Sequence, residues 1–472
     1  MRIAVSIVKW LMLLAGVLLL SAAIWLWFAP PDLIRVGSNY AAKTVCSNVF
    51  LAGRLPEDVL ADDVQAPGHP LLKLMRVDVN PMDATVRAGL LRWFGKGTAL
   101  FRGGTGCVAA PDGQLQAARG GLLDMATPSG GPATLWPEGA RIDAAGHPEI
   151  SNILDDPAMT GPGMRAVVVV HEGRIIGERL GPNVYHHEQP LIGWSMTKPV
   201  NAAIVGTLVR AGRLSVDDAS LFPAWEGDGR SEITIAHLLG MESGLAFRES
   251  YDGVTDVTRM LYLEPDMAAF AAAKPLAHDV GEHFSYSSGS SVLAARAWQD
   301  TFEDPEAALR WPREAFFEPL GMDTAVFETD ARGTFVGSSY LYASPRDWAR
   351  FGQLLLQDGE WNGQQILPEG WVEWMRTPTE ASGGDYGRGL WMHGPRVTTP
   401  PDQHQDTGFD LPDDAYWMIG HDGQTITIIP SRDLVVVRMG LTPTILAYKP
   451  QSLVEAVVKA LDERKRLRAM EP

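Results

Sequence analysis

Residues 425–438 read TITIIPSRDLVVVR, two β-branched and mostly apolar runs on either side of the polar segment 430–433. Such runs around a turn are typical of paired antiparallel strands. Far upstream, residues 166–170 read AVVVV and residues 174–178 read RIIGE, with Glu172-Gly173 as the turn between them. Strand pairs at both ends of a helical and loop-rich middle predict an α+β fold. We expect one antiparallel β-sheet closed by the two ends of the domain and flanked by helices, with an inserted mainly helical region.

The 472-residue chain is long enough for two or three domains. Changes in composition predict four parts: an N-terminal apolar helix over residues 1–31, a small β-rich module over 40–125, a linker over 126–163 and a main domain over 164–465. The linker is rich in Gly, Pro, Ala and Asp and lacks sustained periodicity. A basic C-terminal helix is predicted over residues 452–468.

The small module is predicted from alternating residues. Residues 74–79 read LMRVDV, and residues 84–88 follow as a returning strand after the turn at 80–83. Residues 95–98 read GKGT, but their spacing does not match a phosphate-binding loop, and we interpret them as a turn.

Composition excludes several classes of function. The formal net charge is −17, and an acidic surface repels a phosphate backbone, so we expect no nucleic-acid partner. The cysteines and histidines lack the clustered spacing of a zinc site. We therefore expect no metal and no cofactor.

The first residues predict a single membrane-spanning helix. Arg2 and Lys9 precede the uncharged segment 10–31, and about twenty apolar residues are enough to cross the hydrocarbon core. Basic residues lie only on the N-terminal side, which places that end in the cytoplasm and the remainder in the periplasm, anchored in the inner membrane. A cleaved signal peptide is the alternative, with 21–23 as the cleavage region.

Cys46 and Cys107 are the only two cysteines. In an exported protein they can pair, and both flank one small segment, so we expect a disulfide between them. Two unrelated buried thiols are the alternative.

Ser195-Met196-Thr197-Lys198 is the first candidate for chemistry. At the start of a helix, positions i and i+3 share a face, so Lys198 can reach the Ser195 hydroxyl. A serine hydroxyl is a poor nucleophile until a neighbouring base takes its proton, and a buried lysine amine can do so. Pro199 is tolerated only if the helix begins close to this point.

Two further motifs follow. Tyr286 lies on a turn before a helix, with Ser288 two places on, and could carry a second proton. His421-Asp422-Gly423-Gln424 directly precedes the strand at 425–429. Gly423 would let a substrate approach the strand edge, and the Gln424 N–H could point at an oxyanion. Each motif alone is equally compatible with an ordinary turn.

Together, Ser-x-x-Lys, Tyr-x-Ser and His-x-Gly resemble the serine β-lactamase and penicillin-binding superfamily. The resemblance is closest to class C β-lactamases and their esterase and amidase relatives, including 6-aminohexanoate-dimer hydrolase. Residues 234–245 (TIAHLLGMESGL) and 344–352 (SPRDWARFG) also resemble this family, and the likeness extends over about 164–460.

The resemblance implies a role for each motif residue. Ser195 would attack a carbonyl, with Lys198 and Tyr286 sharing the base and acid roles. The N–H groups of Ser195 and Gln424 would hold the oxyanion, and Ser288 would stand where the family has an asparagine or serine facing the substrate.

His421 departs from the family, because β-lactamases and transpeptidases have a lysine here that helps to bind the substrate carboxylate. A small ester or amide is therefore the expected substrate. A D-Ala-D-Ala peptidase, a β-lactamase and a non-catalytic envelope binding protein remain alternatives. A Ser-His-Asp triad built from Ser195, His421 and Asp422 lacks the glycine that a nucleophile elbow needs at position 197.

Overall fold

The computed structural model describes residues 2–66, 68–120 and 134–470. In chain order, its helices are α1 (Arg2–Phe28), α2 (Asp32–Phe50), α3 (Pro56–Val59), α4 (Leu115–Ala118), α5 (Pro148–Asp155), α6 (Pro157–Thr160), α7 (Thr197–Arg210), α8 (Ile235–Leu239), α9 (Asp256–Leu263), α10 (Met267–Ala272), α11 (Ser288–Gln299), α12 (Pro305–Pro312), α13 (Glu318–Leu320), α14 (Pro345–Leu356), α15 (Trp371–Arg376) and α16 (Gln451–Met470). The strands are β1 (Met75–Asn80), β2 (Thr85–Leu90), β3 (Phe94–Arg102), β4 (Gly106–Ala109), β5 (Met164–His171), β6 (Arg174–Leu180), β7 (Leu191–Ile192), β8 (Val326–Phe327), β9 (Leu341–Ala343), β10 (Glu360–Trp361), β11 (Gln364–Gln365), β12 (Tyr416–Gly420), β13 (Gln424–Ile429) and β14 (Leu434–Gly440).

The main sheet joins the two ends of the main domain. Its order is β12-β13-β14-β5-β6, and every neighbouring pair is antiparallel. Strand β14 pairs directly with β5, so the last strand of the chain lies beside the first strand of the domain. The α+β prediction is confirmed, and β12 is an edge strand that the sequence pattern did not predict.

Each face of this sheet is covered by helices. Alternate side chains of a strand point to opposite faces, so Val168 and Val437 join the large core that contains α7 and α14. Val167 and Val436 face the other way and pack with α16. Both faces are therefore dry, which explains the uninterrupted valine runs in the sequence.

The predicted linker at 126–163 is partly structured. Residues 126–133 lie outside the described residues, but α5 and α6 follow them. Ile150 and Leu154 of α5 are buried in the same outer core layer as α16. Ile150 and Leu154 are four residues apart, a spacing that favours one face of a helix. The sequence analysis missed it because Gly and Pro are frequent on either side. The boundaries of the four parts stay predictions.

The sequence predicted a β-rich module before the main domain, and the structure adds a long helix to it. Strands β1–β4 form an antiparallel sheet in that order, and α2 packs across it. This helix begins at Asp32, before the predicted start at 40. Its buried face consists mainly of small residues, including Ala41 and Ala42, which favour close packing but carry little hydrophobic periodicity.

Residues 95–98 lie inside β3 instead of forming the predicted turn. The glycine at 97 is needed because α2 crosses here. A Cβ at Gly97 would lie 2.6 Å from the Asn39 backbone nitrogen, so only glycine lets the helix and the strand approach this closely.

Cys46 of α2 and Cys107 of β4 are joined in a disulfide, with their Cα atoms 6.0 Å apart. The bond fastens the helix to the far edge strand of the small sheet. The expected pairing is therefore present in the structure.

Helix α1 contains a 24-residue apolar span, Val5–Phe28, with a mean hydropathy of 2.4 and no buried share in its most apolar window. Within the described part of the chain, it is the helix that is long and apolar enough to cross a membrane. Its length and position fit a membrane anchor or a signal sequence equally.

Candidate active site

Ser195 lies in a short 3₁₀ turn that leads directly into α7. Trp194, just before it, has a φ of +48°, a left-handed conformation that is uncommon for a bulky residue and often marks a functional turn. The Gly193 N–H donates to the Leu341 carbonyl of β9 at 2.9 Å. This bond holds the turn against β9, while Ser195 itself is half-buried.

Lys198 is only 2% exposed and points back along α7 to the serine. Its Nζ lies 3.2 Å from Ser195 Oγ, 3.4 Å from Ser288 Oγ and 3.2 Å from the Ser338 carbonyl oxygen. All three partners are neutral, and no described Asp or Glu forms an ion pair with this amine. The predicted reach from position i+3 to position i is present.

Tyr286 lies on the loop before α11. Its ring faces Lys198 Nζ, which lies 4.5 Å from the ring centroid. The ring packs against Trp391 and Tyr386, with centroid distances of 5.4 and 5.8 Å. No hydrogen bond among the described residues joins the Tyr286 hydroxyl to Ser195 or Lys198. The structure therefore brings Tyr286 to the lysine through its ring face.

Ser288, the first residue of α11, is fully buried and does not face open space. Its Oγ donates to Glu249 Oε1 at 2.6 Å, and its N–H donates to Glu249 Oε2 at 2.8 Å. A carboxylate at a helix N-terminus is stabilised by the free N–H groups there. Glu249 was missed by the sequence analysis, because it lies in an irregular loop with no motif around it.

The hairpin between β12 and β13 closes another side of the site. A Cβ at Gly420 would lie 2.3 Å from the Gly193 carbonyl oxygen, so the hairpin touches the turn that precedes Ser195. The His421 ring packs against the rings of Trp194 and Tyr251, with centroid distances of 5.8 and 5.1 Å. Tyr251 was also missed by the sequence analysis.

Gln424 and Gly423 are held by the neighbouring strand β14. Gln424 Nε2 donates to the Gly440 carbonyl oxygen, and the Gly440 N–H donates to Gln424 Oε1 at 3.0 Å. The Gly423 carbonyl accepts from Arg438 at 2.9 Å. The Gln424 side chain is therefore engaged with the backbone of β14.

Two groups at this edge have shifted pKa values. Burial raises the pKa of the Asp422 carboxyl, and the nearby His421 ring, whose Nε2 lies 3.4 Å away, opposes the shift. Burial also raises the pKa of the Tyr251 hydroxyl well above its ordinary value, and the Glu249 carboxylate adds to the effect.

A group of potential metal ligands lies elsewhere. One ligand atom from each of His393, His404 and Asp406 falls within 4.8 Å of the others. The sequence predicts no metal because these residues are not in a recognisable ligand spacing, and the chain must fold to bring them together. Asp406 is already engaged, since it accepts from the Gly394 N–H at 3.1 Å and from the Gln451 amide at 3.1 Å.

Comparison with known families gives one match, covering the region that builds this site. Residues 156–441 match the family model described as Beta-lactamase. A search of curated proteins finds no match.

Solved structures share the fold. A Bacillus anthracis protein provisionally named a 6-aminohexanoate-dimer hydrolase is 22% identical, with a TM-score of 0.52, covering 64% of this chain and 80% of its own. A penicillin-binding protein homologue from Caulobacter crescentus is 15% identical, with a TM-score of 0.52, covering 68% and 99%. EstCE1, a hydrolase with promiscuous acyltransferase activity, is 14% identical, with a TM-score of 0.51, covering 66% and 97%.

Proposed function

Because the chain belongs to the Beta-lactamase family, we propose that it is a serine hydrolase that forms an acyl-enzyme on Ser195. The observation that carries this proposal is the buried Lys198 amine, which lies 3.2 Å from Ser195 Oγ with only neutral hydrogen-bond partners. An amine this close to the serine hydroxyl is positioned to accept its proton.

In the first step, Lys198 takes the hydroxyl proton of Ser195 while Oγ bonds to the substrate carbonyl carbon. The tetrahedral intermediate then collapses, the bond to the leaving group breaks, and that group receives the proton. Water repeats the sequence on the acyl-enzyme, releasing the acid and restoring Ser195.

Two residues beside Lys198 are assigned to the later proton steps. Tyr286 is the proposed acid for the leaving group, and its ring face also stabilises the transient ammonium. Ser288 accepts from Lys198 and donates to Glu249, which forms a hydrogen-bonded chain that starts at the amine. The negative carboxylate at its end holds Ser288 in the orientation that can accept from the lysine.

The N–H groups of Ser195 and Gln424 are the proposed oxyanion hole. The close approach of Gly420 to Gly193 supports this assignment, because it brings the two backbone segments together. Gly423 and the engaged side chain of Gln424 keep that edge of the hairpin narrow and rigid.

His421 and Asp422 favour an ester or a small neutral amide as the substrate. The position that would meet a substrate carboxylate holds an imidazole wedged between two aromatic rings, with a carboxyl group 3.4 Å from it. This site offers no fixed cation, whereas dedicated penicillin recognition needs one.

We further propose that α1 anchors the protein in the inner membrane with the catalytic domain in the periplasm. The segment 10–31 carries no charge, and Arg2 and Lys9 lie on its N-terminal side, which supports this topology.

The test uses purified full-length protein and three substrates: a p-nitrophenyl ester, nitrocefin and a D-Ala-D-Ala peptide. We expect turnover of the ester with little or none of the other two. Intact-mass spectrometry with a slow ester should show one acyl group, mapped to Ser195 and lost in Ser195→Ala. Faster turnover of nitrocefin or of the peptide would favour the corresponding alternative, and the absence of any fluorophosphonate adduct would indicate a binding protein.

A further inference from the structure

A cavity of about 380 Å³ lies beside the turn that carries Ser195. This volume falls within the range of small-molecule sites. Its walls come from α2, the segment 68–72 and the main domain. Apolar and aromatic residues of the lining include Leu33, Val36, Leu72, Trp194, Tyr251 and Ile445, and His69, Thr258 and Asp422 add polar groups. We call this space the acyl cavity.

One end of the acyl cavity is formed by the rings that border the catalytic turn. Trp194 precedes Ser195 directly, and His421 packs against both Trp194 and Tyr251. All three rings line the cavity. Ser195 itself does not line the cavity, so a chain attached to a carbonyl at Ser195 would have to pass these rings to enter it.

The other end lies close to the end of the membrane helix. Leu33 is the second residue of α2, which begins at Asp32, soon after α1 ends at Phe28. Ile445, also on the cavity wall, is 89% exposed. If α1 spans the bilayer, this end opens at the level of the membrane surface.

The neighbouring surface has the composition of a membrane interface. Trp93 and Leu91, on the turn between β2 and β3, are 58% and 49% exposed. The next strand reaches α1, since Lys96 Nζ lies 5.5 Å from the centre of the Trp27 ring. Exposed aromatic residues beside a basic side chain are typical of the boundary between lipid and water.

We propose that the acyl cavity holds the hydrocarbon chain of an ester substrate that enters from the bilayer surface. This rests on the proposed function and adds the substrate class, a lipid-like acyl ester. Leu33, Val36, Leu72 and Ile445 offer a straight apolar chain a surface against which its methylenes can be buried. Each methylene buried in the cavity should raise kcat/KM by about fourfold, as long as the cavity has room.

The experiment compares p-nitrophenyl acetate with p-nitrophenyl octanoate on the full chain in phospholipid nanodiscs. Wild-type protein should prefer octanoate by at least about tenfold in kcat/KM. Ile445→Asp places a charge at the opening, and Leu72→Trp reduces the volume. Each should lower this preference at least about fivefold. Met82→Asp is the matched control, because Met82 is 93% exposed and lies outside the cavity.

A second arm identifies the source of the chain. Dioctanoylglycerol incorporated in the nanodisc should release octanoate, and Ile445→Asp should reduce this release. Turnover of the soluble octanoate ester without any release from the nanodisc would overturn entry from the bilayer. Equal kcat/KM for acetate and octanoate, or a preference that neither cavity variant changes, would overturn the acyl cavity itself.

Acetate turnover tests the proposed function separately. If acetate is hydrolysed through Ser195 and chain length has no effect, the hydrolase proposal stands and the acyl cavity is wrong. If no ester acylates Ser195, the hydrolase proposal is wrong, and the substrate class is overturned with it.

Discussion

Two lysines in this protein are buried in nearly the same way, one on α2 and one on α7. Lys43 and Lys198 are 3% and 2% exposed. Lys43 Nζ donates to a serine, Ser47, at 2.9 Å and lies 4.1 Å from the centre of the Tyr340 ring. Lys198 has the same two kinds of neighbour, Ser195 and the Tyr286 ring.

The difference between them is a carboxylate. Lys43 forms an ion pair with the fully buried Glu328 of the main domain, which also accepts from Ser47 at 2.9 Å and from the Cys107 N–H at 2.6 Å. Burial lowers the pKa of Lys43, and the negative charge of Glu328 opposes this. Among the residues that the structure describes, Lys198 has no such partner. We infer that the first lysine joins two parts of the chain, while the second is kept free for proton transfer.

The largest expected effect separates the two lysines by activity. Lys198→Ala should lower kcat/KM for a short ester by about 10²–10⁴-fold, because the hydroxyl loses its base. Ser195→Ala with Lys198→Ala should cost little more than either alone, since residues that act as one unit fail together. Steady-state assays check this, with correct folding confirmed by circular dichroism. A Lys198→Ala enzyme with full activity would contradict the assigned base.

The next effect separates them by stability. Lys43→Met leaves the Glu328 carboxylate buried without its partner and should lower the free energy of unfolding by about 3–5 kcal/mol. Lys43→Met with Glu328→Gln should recover much of this loss, because the unpaired charge is gone. Urea unfolding measures both variants. If Lys43→Met is as stable as wild type, the ion pair does not hold the module to the main domain.

A smaller effect is expected from the disulfide on the Lys43 side. Cys46→Ser with Cys107→Ser opens a link between residues 61 positions apart and should cost about 2–4 kcal/mol. Turnover of a short ester should remain within about twofold, because Ser195 and Lys198 lie on other elements. Urea unfolding and ester assays measure the two outcomes, and thiol labelling of denatured wild-type protein should find no free cysteine. A large loss of short-ester turnover would show that the module supports the site more directly than the contacts suggest.

The smallest effect concerns Asp422 beside the site. Its folded-state pKa is raised, so the folded state holds the proton over a pH range in which the unfolded chain has lost it. The carboxyl therefore lowers the free energy of unfolding as the pH rises from its pKa in the unfolded chain, about 3.9, through its higher pKa in the folded state. Asp422→Asn suits the left-handed backbone there, with φ of +56°. Its stability gain over wild type should be greatest at neutral pH and shrink towards pH 4. Urea midpoints across pH test this, and a gain that grows on acidification would contradict the shift.

Features that depend on local pattern could be predicted from the sequence alone. The valine-rich strands and the apolar N-terminal helix follow from continuous apolar runs of different length, and the contact of Lys198 with Ser195 follows from the spacing of one helical turn. The family could be recognised from the sequence because each motif is a short continuous segment, and the family match confirmed it. Helix α2 escaped prediction because its buried face is made of small residues rather than large apolar ones.

Contacts between residues that are distant in sequence became visible only in the folded structure. Glu249 reaches Ser288 from a position 39 residues earlier, and Lys43 meets Glu328 across 285 residues. Tyr251 and His421 come together from different segments. No local periodicity encodes such pairs, because they depend on how whole elements pack. The same packing gives one buried lysine a carboxylate and leaves the other without one, and this is the difference on which the proposed chemistry depends.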